Sequence, residues 1–504
     1  MNNVYISPQA QQKTLAQSPV PHEDAQRKRG IEEAWKAYKG EFQPPLKVEK
    51  GETDDNFLSN RCAPIVNKGV SFLFGEVIKI EASDETSEPD TDKQDFLKDL
   101  WGDDDDKMTL LSKIALNGGV AGQTFVKLIP STDESKPPRI VVLNPALIRI
   151  VTDPDDCETT YAYIIEYPVK DDTQKRQIIA RVDPNADTTR LGKTLDDFWT
   201  ITNYEKKLNA SQSWEQVGEQ EDWPYPFAPV FTCQNLPSPN EPWGFPDITP
   251  ILIKQNEVLN FNQSNTSRII YYHAHPKTIA TGARLEDLKT SPGDITLLPS
   301  PDSKVFNLEM TSNLESSRNF TADIRASMDE ESRVPAVALG RLAEMPHGDV
   351  SGVAIQLMFQ PLLEQTTQKR RLYGKLVREV SRAAMALAGK IKIEEYESYP
   401  VEIHWQNLLP VDDLKEGQTA LVLRQIGVSD DTLLRRLGFD PEEEAEKSEA
   451  EDKKKMEAQQ QMGMVPLQQV PLGQQSSNNQ PPQDGNQPQD NQQQNDKQLV
   501  GQKG

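Results

Sequence analysis

WGFPDITPILIKQNEVLN, residues 243–260, and GDVSGVAIQLMFQ, residues 348–360, bracket the stretch whose reading decides the fold. In the first, apolar residues take up helical spacing after Asp247: Ile248, Ile251, Leu252, Leu259, Asn262 and Ile269 fall near one face through His273. Asp247 is the expected N-cap, and Pro250 is tolerated because it falls within the first turn. A small block of Pro, Gly and β-type runs follows, with Thr278–Ala280, Ile295–Leu298 and Lys304–Leu308 as its extended pieces. Ser312-Asn313-Leu314-Glu315 has the form of a capping box. It opens a helix through Leu314, Ile324 and Met328 that stops before Pro335. Val334–Val350 reads as a loop, containing Gly340, Pro346 and Gly348. Ser351 then caps a helical pattern running to Gly389, about 57 Å if straight, with a kink expected one turn before Pro361.

Before this stretch, His22–Phe42 reads as an amphipathic helix with Ile31, Ala34, Trp35 and Tyr38 on one stripe. Helices are also expected at Asn60–Phe74 (closed by Gly75), Asp95–Trp101 and Met108–Leu116, the last breaking at Gly118-Gly119. A strand fits Val77–Glu81, and an acidic loop Ser83–Asp92. From Gln123 to Thr232 the pattern changes to short β-branched or aromatic runs: Phe125–Ile129, Ile140–Leu143, Ile148–Val151, Tyr161–Tyr167, Gln177–Val182 and Phe198–Tyr204. After the long helix come a strand, Val401–Trp405, then two short helices within Asp412–Leu437 around Gly427, with Ser429 capping the second. Asp440–Gln461 reads as a charged helix. Residues 1–21 and the Gln/Asn/Pro-rich 462–504 are expected to be disordered, since they offer little to bury. The fold class is α+β.

The chain has 504 residues, enough for two to four domains, and a formal net charge of −23. Its mean hydropathy is −0.66 and its pI about 4.8. No apolar run approaches the ~20 residues needed to cross a bilayer, so no membrane association is expected. A protein that grips nucleic acid tightly shows a basic surplus, so any contact with DNA must be loose and local. Cys62, Cys157 and Cys233 match no zinc spacing and read as idle thiols, and His273-Ala274-His275 has no acidic neighbour, so neither metal nor cofactor is expected.

Three motifs look catalytic and fail on inspection. GGVAGQT, residues 118–124, lacks the lysine of a phosphate-binding loop, Gln123 standing in its place. Gly348-Asp349-Val350-Ser351-Gly352 opens a helix instead of following a strand, so Ser351 reads as a cap and not as a nucleophile. Asp103–Asp106 lacks the alternation of a calcium loop and instead feeds negative charge into a helix N-terminus. A structural protein, not an enzyme, is the expectation.

The order of elements resembles the portal proteins of tailed bacteriophages. NRCAPIVNKGVSFLFGE (60–76) is similar to an early helix of that family, and NGGVAGQTFV (117–126) to its helix-Gly-strand turn. WGFPDITPILIKQNEVLN resembles the segment opening its first stem helix, with Pro246 replacing the usual Ser. GDVSGVAIQLMFQ resembles the helix start after its tunnel loop, and WQNLLP (405–410) and 426–437 recur in kind.

That resemblance implies a phage portal fold assembled as a closed ring with a central channel, usually of twelve copies. The parts would be a wing (22–242), first stem helix (243–273), clip (274–310), second stem helix (311–333), channel loop (334–350), kinked wing helix and strand (351–410) and helical crown (411–461). The segment Ala338–Val350 would project toward DNA, with Arg341, Leu342, Met345 and His347 as its candidate contacts. The implied partners are further copies of the chain, the terminase large subunit, major capsid and scaffolding proteins, a head-completion or adaptor protein, and double-stranded DNA in transit without sequence preference. The implied place is a capsid vertex of the virion, and the host cytoplasm during assembly. The alternative is another virion ring or adaptor without the DNA-gating loop; a packaging ATPase would require the missing Walker lysine.

Overall fold

The computed structural model describes residues 20–48, 54–83, 90–133, 136–153, 156–169, 173–181, 199–207, 213–274, 278–281, 304–307, 314–341, 352–408 and 413–436, plus a few isolated positions. The expected strand Ile295–Leu298, Ser312 and Asn313 of the expected capping box, Ser351, most of residues 1–21 and of Asp440–Gln461, and the 462–504 tail lie outside them. The helix that the box is expected to open begins instead at Glu315 after Leu314, with no side-chain cap. The chain divides into two units, Met1–Pro410 and Val411–Gly504.

In the first unit, helix α1 (His22–Lys39) buries Ile31 and Ala34 of its predicted stripe, leaves Trp35 and Tyr38 half-buried, and buries Ala37, which the stripe does not include. Helix α2 (Cys62–Phe74) starts where the Asn60 carboxamide accepts from the Cys62 and Ala63 amides. Strand β1 (Lys79–Ala82) leads to α3 (Thr91–Trp101), capped by Asp90, and α4 (Asp104–Ala121), capped by Asp103. The expected break at Gly118-Gly119 does not occur: α4 runs on to Ala121 and ends at Gly122, whose φ of +80° closes it. Gly118 is there for clearance, because a Cβ on it would lie 1.8 Å from the Tyr373 hydroxyl.

Strands β2 (Gln123–Ile129), β3 (Arg139–Leu143), β4 (Ile148–Thr152), β5 (Thr160–Val169), β6 (Thr173–Arg181), β7 (Trp199–Lys207), β8 (Glu215–Trp223) and β9 (Val230–Gln234) follow. They form a three-stranded sheet, β3-β2-β9, and a five-stranded antiparallel meander, β4 to β8 in order. The last two strands carry no sequence expectation. The β8 stretch EQVGEQEDW is exposed except at Gln220, half-buried, and Trp223, buried, and its carboxylates suit an edge that must not pair further. The meander alternates: Tyr163, Ile165, Ile179 and Ile201 join the main core, while Ala162, Ile164, Ile178 and Tyr204 form a smaller cluster on the other side.

Helix α5 (Pro250–Ala274) is followed by the antiparallel pair β10 (Thr278–Thr281) and β11 (Lys304–Asn307), helix α6 (Glu315–Ser332), a 3-10 turn (Ala336–Leu339) and helix α7 (Gly352–Leu387). Helix α7 stays helical through Pro361. Its C-terminal half supplies Tyr373, Leu376, Val377, Val380, Ala383 and Ala384 to the main core, and Leu362 nearer its start joins α1, α2, α5 and α6 in a second core. Strand β12 (Val401–His404) returns to pair with β1 across the whole unit. In the second unit, α8 (Asp413–Gln425) turns through Gly427 into α9 (Asp430–Arg436), and the Ser429 hydroxyl accepts from the Thr432 amide as expected.

Candidate functional site

Helix α5 carries one stripe of two characters. Ile248 just before it, with Leu252 and Leu259, is buried in the second core; Asn256, Asn260 and Ser264, at i, i+4 and i+8, are equally buried. Buried polar groups cost free energy unless bonded. All three bond to one extended segment, though the Asn260 Nδ2 has no hydrogen-bond partner among the described residues. Asn256 accepts from the Arg61 amide (2.9 Å) and donates to the Ser59 carbonyl (2.8 Å). Asn260 accepts from the Ser59 amide (2.9 Å). The Ser264 hydroxyl accepts from the Phe57 amide (2.8 Å) and donates to the Phe57 carbonyl (3.1 Å). The ladder zips residues 57–61 along α5 and holds Phe57 beside its upper half.

On the other side α6 packs antiparallel to α5. The contacts run from Thr249 with Glu331 (3.1 Å), through Gln255 with Ser327 (2.8 Å), to Asn262 with Thr321 (2.6 Å) and Thr266 with Ser317 (2.6 Å). Ile324 and Met328 close the seam below.

Above Ser264 the same α5 stripe is no longer covered. Gln263, Thr266, Ser267 and Ile270 floor a groove of about 610 Å³ between Phe57 and α6, into which Arg318 and Arg325 face, with Arg341 as a further lining residue. Arg318 and Arg325 make no ion pair among the described residues, and the Arg325 Nε is buried without a hydrogen-bond partner there. Arg341 is different. Its guanidinium pairs with Asp329 of α6, which Arg61 also reaches at 3.5 Å, and its amide donates to Ala336 (3.1 Å). It therefore ties the end of the turn after α6 back onto α6.

Below the groove lies a second charged site, wholly inside the core. Asp247 does not cap α5, as the sequence suggests; the Thr249 hydroxyl does, accepting from Leu252 (3.1 Å). Asp247 instead receives Lys369 of α7 at 2.6 and 2.7 Å, both side chains about 5% exposed or less. Asn235 (3.1 Å) and Gln365 (3.4 Å) donate to the same carboxylate, and the Asp247 amide donates to Gly119 (2.7 Å). The Tyr373 hydroxyl donates to Asn235 (3.1 Å), and burial pushes its pKa well above the ordinary tyrosine value. This node joins α4, the end of β9, the lead into α5, and α7.

Two of the three thiols are held protonated: burial pushes Cys62 up to about 12 and Cys233 higher still. No cluster of three or more His, Cys, Asp or Glu able to hold a metal occurs among the described residues.

This arrangement of α2, the glycine turn after α4, and the α5–α6–α7 order coincides with a family match. Residues 17–460 match the family described as phage portal protein, SPP1 Gp6-like. The chain belongs to that portal family. Among solved structures, the portal-family chain is similar to chains of gene transfer agent (GTA) particles. One, from the neck of an empty GTA particle computed with C6 symmetry, is 12% identical with a TM-score of 0.46, covering 85% of this chain and 99% of that one. Another, from the virion of a native GTA particle, is 12% identical with a TM-score of 0.44, covering 84% and 96%. A third, from the neck of a native GTA particle computed with C12 symmetry, is 12% identical at 0.41, covering 75% and 90%. No curated protein matches by sequence.

Of the four residues that the sequence offers as DNA contacts, Arg341 is tied to α6, while Leu342, Met345 and His347 lie outside the described residues. The Asn256-Asn260-Ser264 ladder, the Asp247–Lys369 node and the Arg318/Arg325 groove carry no sequence expectation. The ladder had a signal, short polar side chains recurring every fourth residue on the buried stripe. The node had none, since its two charges are 122 residues apart.

Proposed function

We propose that this portal-family chain assembles as a closed ring at one capsid vertex, through whose channel double-stranded DNA is packaged and later ejected. The family match over 17–460 carries the reading. In this reading α5 and α6 are the stem helices, β10 and β11 belong to the clip, residues 334–350 form the channel loop, α7 with the two larger sheets makes the wing, and 411–461 the crown. The clip docks the terminase large subunit during packaging and a head-completion or adaptor protein afterwards. Major capsid and scaffolding proteins meet the ring during assembly in the host cytoplasm, and the mature ring belongs to the virion.

The role is structural, not enzymatic. A formal charge of −23 per copy accumulates round a ring and discourages DNA from adhering as it slides. Electron microscopy of the purified chain tests the reading: closed rings with a central channel, twelvefold, are expected. Monomers alone, or open filaments, under assembly conditions would overturn it.

A further inference from the structure

The α5–α6 layer has two solvent faces of opposite character. The groove face combines half-exposed Phe57 and Ile270 with Arg318 and Arg325. At about 100° per residue, Phe320 and Asp323 lie about 140–160° round α6 from those arginines, and Phe261 lies about 120–180° round α5 from the groove floor. Phe261 and Phe320 are both half exposed, Asp323 is exposed, and Asp323 has no ion-pair partner among the described residues. One face is thus an apolar groove with cations; its reverse is an apolar ridge with an anion.

We propose that the groove is filled by the Phe261/Phe320/Asp323 ridge of a second copy of this chain, Asp323 of one copy meeting Arg325, and Arg318 beside it, of the next. This specifies the subunit contact of the ring proposed above and rests on that reading. Two different patches on opposite faces make a head-to-tail contact, the kind that repeats round a closed cycle instead of stopping at a dimer. A ridge bringing both an aromatic surface and a carboxylate meets both needs of the groove, since an arginine withdrawn from water without a partner opposes association. The loop base is already served: Arg341 has Asp329 within its own copy.

The test is a charge swap in the full-length chain. Arg325→Asp alone and Asp323→Arg alone each place like charges across the contact, and each is expected to raise the concentration for half assembly by more than about tenfold. The two positions face opposite ways on α6, so they do not compensate within one copy. The double variant Arg325→Asp/Asp323→Arg restores opposite charges between copies and is expected to recover rings, scored by sedimentation and negative-stain microscopy. Circular dichroism melts confirm that each variant is folded. An independent arm introduces Ile270→Cys with Phe320→Cys, expected to yield a ladder of covalent oligomers on mild oxidation. If wild type fails to form rings, the ring reading itself falls. If wild type forms rings but the single variants assemble normally, or the swap restores nothing and no ladder appears, this contact alone is overturned.

Discussion

The buried Asp247–Lys369 node and the groove about 24 Å further along α5 both place charge against apolar surface, and they resolve it in opposite ways. At the node, every oxygen of Asp247 is met from within the chain, by Lys369, Asn235 and Gln365. In the groove, Arg318 and Arg325 stand beside Phe57 and Ile270 with no carboxylate among the described residues to meet them. A buried ion pair adds little net stability over a well-packed apolar substitute, but half of one is strongly destabilising. The node therefore fixes where α5 starts relative to α7 within a single copy. The groove leaves its charges for something outside the copy.

The largest expected effect comes from splitting the node. Lys369→Met leaves Asp247 buried and uncompensated and should destabilise the monomer by about 3–5 kcal/mol in denaturant unfolding. Adding Asp247→Asn should recover more than about half of that loss, because the remaining groups are neutral. By contrast, Arg325→Met should cost nothing in unfolding and can gain up to about 0.5 kcal/mol, because the part-buried guanidinium it removes has no partner within the described residues. Similar losses at Lys369 and Arg325 would break the distinction between the two sites.

The next effect lies where α4 meets the node. Gly118→Ala drives a Cβ against the Tyr373 hydroxyl, which is fully buried and cannot swing aside. Overpacking of this kind should cost about 1–3 kcal/mol, and Tyr373→Phe in the same chain should return part of it by removing the clashing oxygen. Thermal melts of the two single variants and the double variant measure the coupling. No recovery in the double variant would mean that the clearance at Gly118 is not set by Tyr373.

This glycine also shows where sequence reasoning stops. Gly118-Gly119 looks like a helix end because glycine weakens helices locally. Here a tyrosine 255 positions later needs the space, and no local pattern announces that. Asp247 fails for the same reason: an acid before a helix looks like a cap until a distant lysine claims it. Strand β8 escaped because its stabilisation is backbone pairing with β7, while its side chains are mostly solvated and show no apolar alternation. What could be read was what depends on near neighbours: the α1 stripe, the β-branched runs of the meander, Ser429 as a cap, and the α5–α6–α7 order that carries the family resemblance. Arg341 reads from the sequence as a loop cation. Its pairing with Asp329, twelve residues back, needed the turn after α6 to be known.

A smaller effect is expected at that pairing, which sits between the two regimes. Arg341→Ala removes one of the two arginines on Asp329 and leaves Arg61 in place. A partly retained, part-buried pair should cost about 1 kcal/mol in unfolding. Limited proteolysis should show faster cleavage near 342–350 if Arg341 anchors that segment's base. Unchanged cleavage would make Arg341 a groove cation like Arg325.

The smallest effect belongs to Glu379, the partly buried carboxylate of α7 that has neither the node's full set of partners nor the groove's exposure. Its side chain is 33% exposed, with Lys375 at 3.8 Å. Burial raises its pKa above the ordinary carboxylate value, and Lys375, Arg382 and Arg378 offset only part of that rise. A carboxyl whose folded pKa is raised contributes stability when protonated, fully present below its unfolded pKa and lost as pH climbs through the folded value. Glu379→Gln cannot ionise, so it should match wild type at acidic pH and exceed it at neutral pH, by less than about 1 kcal/mol given the solvent around the group. Melting curves of both proteins across that range measure the divergence. If the variant is instead the less stable at neutral pH, the three cations outweigh burial and hold Glu379 ionised much as Lys369 holds Asp247.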